Sequence, residues 1–251
     1  LATSQISSTF SISSSSTIVP LAYAPISIED GYITEGTASG FYLLNTSNFG
    51  IYTFVLTSGM KDIMTPVYVD GEFIITSSST SQNYIHSYSL NGKSLTPNWY
   101  HALSNSKTTS PIIYKKRIIV GSGDVLYIFN LGGTLIWKNI LNSQITGISV
   151  SNNKIFVQTQ NNMYGISILS SNILFSYPTK SSIISSSTGS ISPSSSPDIL
   201  YSLINQSLFQ AYNLQTDSLL WNITLPRSSY ISFSNIALAS GSAYITNGKT
   251  L

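Results

Sequence analysis

From Ser110 to Trp137 the chain reads "SPIIYKKRIIVGSGDVLYIFNLGGTLIW", four short apolar or β-branched runs separated by polar or glycine-bearing turns. Short runs of this kind, bounded by turn residues, predict antiparallel strands, because glycine enters freely the φ > 0 conformations that tight hairpin turns require. "TGISVSNNKIFVQTQNNMYGISILSSNILF", Thr146 to Phe175, repeats the same order of strand, polar turn, strand, short gap, strand rich in Tyr or Phe, turn and strand. "PISIEDGYITEG" and "TPVYVDGEFIITSS" open two earlier copies. The last strands, "GIYTF", "LTPNW", "GTLIW", "NILFS" and "SLLWN", supply aromatic anchors at Phe54, Trp99, Trp137, Phe175 and Trp221, spaced 45, 38, 38 and 46 residues apart. The insert "SSSTSQN" and the Ser-rich stretch from Ser181 to Pro197 account for the longer intervals.

Four strands in a unit of roughly 40 residues predict a β-propeller, in which sheets stack face to face around a channel. The anchors then fill the space between neighbouring blades. Five aromatics at strand ends also suit the core of a β-sandwich, but the constant strand order and its coincidence with the anchor period favour the propeller. A strand ending in "DG" or an equivalent turn, then "IIVGS", then "LYIFN", then "GTLIW" resembles the pyrroloquinoline-quinone-type (quinoprotein-type) propeller repeat. The resemblance covers roughly residues 25–250. That repeat is shared by quinoprotein dehydrogenases and by non-enzymatic secreted propellers, so it implies the fold far more than an activity. "IFN", "ISI" and "AYN" replace the alanine and aspartate usual in its third strand, and Phe175 stands where tryptophan is typical.

Residues 25–251 form the expected propeller domain. Five complete units extend to residue 226, and "YISFSNIALASGSAYITNGKTL" supplies two strands of a sixth, around Ile231 to Leu238 and Ser242 to Thr246. The N-terminal segment 1–24 contains "SSTFSIS" and "STIVPLAYA", with Ser7, Phe10, Ile12, Ile18, Val19 and Leu21 as the residues of two further strands. An open blade leaves hydrogen-bonding edges exposed. The expected architecture is therefore all-β: a six-bladed propeller of four-stranded antiparallel blades, its last blade completed by the N-terminal segment of its own chain or of a neighbouring subunit. Donation between subunits builds filaments, since a head-to-tail contact that does not close continues. The sequence leaves both arrangements open.

Only 8% of the 251 residues are charged, against roughly a quarter in ordinary globular proteins, and the formal net charge is +2. Lys115, Lys116 and Arg117 are the one basic cluster and read as a solvated loop, so no nucleic-acid partner is expected. No run of about 18 apolar residues predicts a transmembrane segment. The chain lacks cysteine and begins at Leu1, as a mature secreted protein does after loss of a signal peptide and as an incomplete chain also does. Asn45, Asn205 and Asn222 stand in N-x-Ser/Thr acceptor sequences for N-glycosylation. Hydroxyls and amides stay hydrated where carboxylates lose their charge, below about pH 4. In composition this surface resembles archaeal pilus and cell-surface proteins of hot acid habitats.

Material for catalysis is thin. His86 falls in a third strand and His101 just beyond the Trp99 anchor, and both read as structural or surface residues. Glu29, Asp30, Asp70 and Glu72 lie at hairpin turns without the Asp-x-Asp-x-Asp spacing of a calcium loop, and Gly121 to Asp124 reads as a turn with no helix to make it a phosphate cradle. The quinoprotein dehydrogenases place carboxylate, cationic and calcium-binding residues above the channel of a larger propeller with a vicinal disulfide, and no residue of this chain takes those roles. The expectation is a non-enzymatic protein with no catalytic residue, metal or cofactor. The expected role is that of an extracellular structural or adhesive propeller, with a glycosylated, pilus-like filament subunit as its expected form, associating with itself or with other cell-surface proteins and glycans. The alternatives are a secreted glycan- or peptide-binding propeller, to which its sixteen tyrosines would contribute amphipathic rings, and a degenerate quinoprotein-type enzyme.

Overall fold

The computed structural model describes residues 27–29, 31–37, 40–47, 51–56, 66–77, 82–91, 94–104, 106–178, 190–193, 199–204, 208–213, 216, 218–224, 237–239 and 242–244. Among them are five four-stranded antiparallel sheets, each a meander in chain order. The first is β1 (Ser27–Glu29), β2 (Tyr32–Gly36), β3 (Gly40–Asn45) and β4 (Ile51–Leu56), and the second is β5 (Val67–Val69), β6 (Glu72–Thr76), β7 (Tyr84–Asn91) and β8 (Ser94–Ala102). The third is β9 (Ile112–Tyr114), β10 (Arg117–Ser122), β11 (Val125–Asn130) and β12 (Leu135–Ile140), followed by β13 (Ile145–Ser151), β14 (Lys154–Thr159), β15 (Asn162–Ser167) and β16 (Ile173–Pro178). The fifth is β17 (Ser190–Pro193), β18 (Ile199–Ile204), β19 (Leu208–Asn213) and β20 (Ser218–Thr224), and β21 (Ala237–Ala239) pairs with β22 (Ser242–Tyr244). The N-terminal segment 1–24, with Ser7, Phe10, Ile12, Ile18, Val19 and Leu21, lies outside the described residues, as do residues 231–236 of the expected penultimate strand.

The second strands of the second, third and fourth sheets explain how the sheets assemble. A strand with one wet face alternates apolar and polar residues, whereas "EFIIT", "RIIVG" and "KIFV" are nearly continuous apolar runs, as a strand buried on both faces must be. Successive side chains of β6 point to opposite sides: Phe73 and Ile75 join Phe41 and Leu43 of the first sheet, while Ile74 joins Ile118, Val120 and Phe129 of the third. In β10, Ile119 turns the other way and packs with Ile155, Val157 and Ile166 of the fourth sheet. Phe156 of β14 continues the series with Tyr212 of the fifth. Each fully buried Ile or Phe contributes about 1.5–3 kcal/mol, so the sheets adhere as a stack whose order follows the chain. First strands of successive sheets touch as well, β1 with β5, β5 with β9, β9 with β13 and β13 with β17, which makes them the inner strands.

The turns between first and second strands have a common geometry. Asp70 and Gly71 have φ of 47° and 86°, Lys115 and Lys116 48° and 59°, and Asn152 and Asn153 49° and 60°. Two consecutive residues at positive φ make a type I′ hairpin, whose twist suits the flanking strands and whose preferred sequences are Asn-Gly and Asp-Gly. The expectation that Lys115, Lys116 and Arg117 form one solvated loop therefore requires correction. Only the two lysines make the turn, while Arg117 begins β10, partly buried, and donates to the Ile168 carbonyl of the next sheet. Lys115 also reaches that sheet, its Nζ lying 2.9 Å from Asn153 Oδ1. Lys116 is exposed and holds a left-handed conformation that costs a residue with a Cβ about 1–2 kcal/mol, so Lys116→Gly relieves strain at some entropic expense in the unfolded chain. A net gain of about 0.5–1 kcal/mol is expected in urea unfolding, and a variant less stable than the parent contradicts the assigned turn.

Candidate functional site: the outer rim of the stacked sheets

The outer strands carry the residues that the sequence singled out. Each of the five sheets has one register shift between its third and fourth strands, with the extra residue on the fourth. In four sheets the anchor immediately follows that bulge: Trp99 opposite Ser87, Trp137 opposite Ile128, Phe175 opposite Gly165 and Trp221 opposite Ala211. The assignment of Phe54 as the equivalent residue of the first sheet is corrected by register. Thr53, opposite Leu43, occupies that place, and Phe54 pairs with Tyr42 one position beyond it.

Two of the tryptophans cross into the following sheet by the same route. Trp99 Nε1 donates to the Leu131 carbonyl at 3.0 Å, and Trp137 Nε1 to the Ile168 carbonyl at 3.3 Å. Leu131 and Ile168 are each the residue after a third strand, so the acceptors are equivalent in sequence and space. The Trp99 ring covers Gly133, where a Cβ would lie 2.5 Å from Trp99 Cδ2 and where φ is +84°, so both room and backbone conformation call for glycine. Phe175 has no N–H to donate, and its ring lies across Gly165 of its own sheet, filling the space of a missing side chain. Trp221 packs edge-on to Phe209 at 5.3 Å and remains 40% exposed.

Just before these anchors stand aliphatic pairs that face solvent. Leu135 and Ile136, Ile173 and Leu174, and Leu219 and Leu220 are each 42 to 51% exposed. Of the three glycan acceptors, Asn222 is exposed on β20, whereas Asn45 ends β3 half-buried and accepts the Ser47 N–H at 2.7 Å through its side chain. Asn205 lies outside the described residues.

An aromatic ladder that sequence reasoning missed runs along the rim of the second sheet. Tyr84, His86 and Tyr88 alternate along β7 and so share one face, and Tyr100 of β8 lies directly opposite His86. His86 stacks on Tyr88 at 5.6 Å and 21° and on Tyr100 at 5.8 Å and 25°, and Tyr100 is 66% exposed. The i, i+2, i+4 spacing was visible in the sequence, but the partnership with Tyr100 depends on a register shifted by the bulge. His86 Nδ1 lies 3.4 Å from the Tyr88 hydroxyl, while Nε2 is buried without a hydrogen-bond partner. Burial pushes the His86 imidazole down to a pKa of about 4 and the Tyr88 phenol up. His101 lies on the opposite face, stacked on Phe129 at 5.3 Å. Glu72 begins β6 rather than lying in the turn, and accepts a hydrogen bond from Ser87. Among the described residues no three His, Cys, Asp or Glu side chains gather where a metal could be held, and no helix is long and apolar enough to cross a membrane.

No family model matches the chain, and no curated protein matches it. Among solved structures, BamB from Moraxella catarrhalis is similar, with a TM-score of 0.62 at 15% sequence identity over 91% of this chain and 74% of that one. At such identity the likeness shows the fold alone, a β-propeller.

His86 generates a pH prediction with a definite sign. A histidine with a lowered folded pKa contributes stability that is fully present above its unfolded value of 6.5 and is lost as pH falls through about 4. Melting temperature should therefore decline between pH 7 and pH 4, and His86→Phe, which cannot take a proton, should flatten that decline. An unchanged pH profile in His86→Phe contradicts the assignment.

Proposed function

We propose that this chain is an extracellular structural or adhesive propeller, a glycosylated surface-filament subunit with six blades, whose last blade is completed by residues Ser7 to Ala22. The observation that supports this reading is the repeat itself: five four-stranded sheets follow one another in chain order, the β21–β22 pair follows the fifth, and the N-terminal "SSTFSIS" and "STIVPLAYA" have the composition of two further strands. A two-stranded sheet alone is marginal in water, and an unpaired buried backbone group costs about 1–3 kcal/mol, so in this reading Ser7 to Ala22 supply the remaining strands of the sixth blade. Donation from a neighbouring subunit joins folding of the blade to assembly, so that polymerisation and blade completion become one event. A surface poor in charge and rich in hydroxyls and amides suits contact between copies outside the cell, and no catalytic residue, metal or cofactor enters this reading.

A second reading, a glycan-binding propeller, draws on Tyr100. Its exposed ring, backed by His86 and bordered by Tyr84 at 6.1 Å, offers an uncharged stacking platform for a sugar face. A glycan-array signal that disappears in Tyr100→Ala would favour that reading.

The test of the filament reading is removal of Leu1 to Tyr23. Electron microscopy and sedimentation should show filaments for the full chain, none for the truncated chain, and their return when a peptide of the deleted sequence is added. A truncated chain that melts and assembles like the parent contradicts the proposal.

A further inference from the structure

The outer strand of a sheet leaves a row of N–H and C=O groups open to pairing with another chain, and proteins guard such edges with proline, lysine or a bulge. Side chains are described on four of the outer strands here. β8 carries Pro97, β12 carries Lys138 and β16 carries Pro178, all exposed. β20 has the common bulge but neither proline nor charge, is exposed along its whole length, and presents Leu219, Leu220, Trp221 and Ile223. Of these four it is the outer strand most open to pairing with a second copy of itself. The residue that follows the anchor Trp221 is Asn222, opposite Gln210, just as Lys138 follows Trp137 opposite Tyr127. Where β12 places its charge, β20 places the acceptor of the sequence Asn222-Ile223-Thr224.

We propose that Asn222 carries an N-linked oligosaccharide which shields β20 from pairing with the same strand of a second copy. This inference rests on the reading of the chain as a secreted surface glycoprotein and assigns a task to one of its sugars. The donor is a lipid-phosphate-linked oligosaccharide acted on by a glycosyltransferase. The Asn222 amide nitrogen bonds to the anomeric carbon, the bond from that carbon to the phosphate oxygen breaks, the lipid phosphate leaves with the electron pair, and the amide gives up one proton to the medium. The seven residues of β20 span about 23 Å, a length that a short oligosaccharide rooted one residue past its middle can cover. Hydrated sugar there both blocks the approach of a second strand and covers the apolar side chains around it.

The experiment compares glycopeptide masses and sedimentation of the full chain secreted from a glycosylating host with those of Asn222→Gln and Thr224→Ala, which both abolish the acceptor sequence. Sugar on Asn222 is expected, with both variants self-associating at about tenfold lower protein concentration than the parent. Adding Leu220→Lys to Asn222→Gln should reverse the association by placing a charge on the edge. Sugar on Asn222 with both variants sedimenting like the parent overturns the inference, as does association that Leu220→Lys leaves unchanged. Native material modified at Asn45 or Asn205 with Asn222 bare overturns this inference alone, whereas native material with no sugar at any of the three overturns it together with the secreted-glycoprotein reading.

Discussion

The burial of the second strands of the three middle sheets on both faces is the constraint on which the rest depends. Because Phe73, Ile74 and Ile75, or Ile118, Ile119 and Val120, are each fully buried yet point alternately to opposite sides, no single sheet can satisfy its own second strand. A sheet with a neighbour on each face can. The stack is thus a consequence of apolar runs that only two partners can cover, and the type I′ turns, the inner contacts of the first strands and the outward placement of the fourth strands follow from that arrangement. Polar groups reinforce it across the gaps: Thr34 Oγ1 donates to the Pro66 carbonyl at 2.7 Å, Thr76 Oγ1 to the Thr109 carbonyl at 2.9 Å, and Asn139 Nδ2 to the Ser171 carbonyl at 2.7 Å.

The rim is where such a fold meets its surroundings. Outer strands cannot be buried on both faces, yet they retain aliphatic pairs beside the bulges and an exposed tyrosine on the second sheet. The bulge does two things there. It places an aromatic where it can cross to the following sheet, as Trp99 and Trp137 do, and it interrupts the regular edge that another strand would read. Assembly and protection from assembly are therefore neighbouring properties of the same strands. In that setting a proline, a lysine or a sugar acceptor on an outer strand has a physical consequence beyond its local conformation.

Much of this fold was legible in the sequence because its strong signals are local. The apolar second strands, the Asp-Gly and Asn-Asn turns and the anchor spacing each occupy a few residues and recur. What escaped was non-local or one residue wide. Phe54 reads as an anchor because it is aromatic and lies near the period, but pairing register places Thr53 there, and a bulge leaves no mark in composition. Arg117 groups with two lysines by adjacency, although it belongs to β10 and its partner is Ile168, 51 residues away. The His86 ladder depends in the same way on a cross-strand partner, Tyr100. The functional reading was less legible than the fold, since strand completion and glycosylation rest on residues that show an opportunity rather than a reaction.

The most direct test of the stacked arrangement is hydrogen exchange at the tryptophan indoles, followed by NMR on the intact chain. Trp99 and Trp137 donate to carbonyls of the next sheet, so their indole protons should exchange only when neighbouring sheets separate, far more slowly than in the unfolded chain. Slow exchange at both positions is the result the account predicts. Exchange at either position as fast as in the unfolded chain would contradict it.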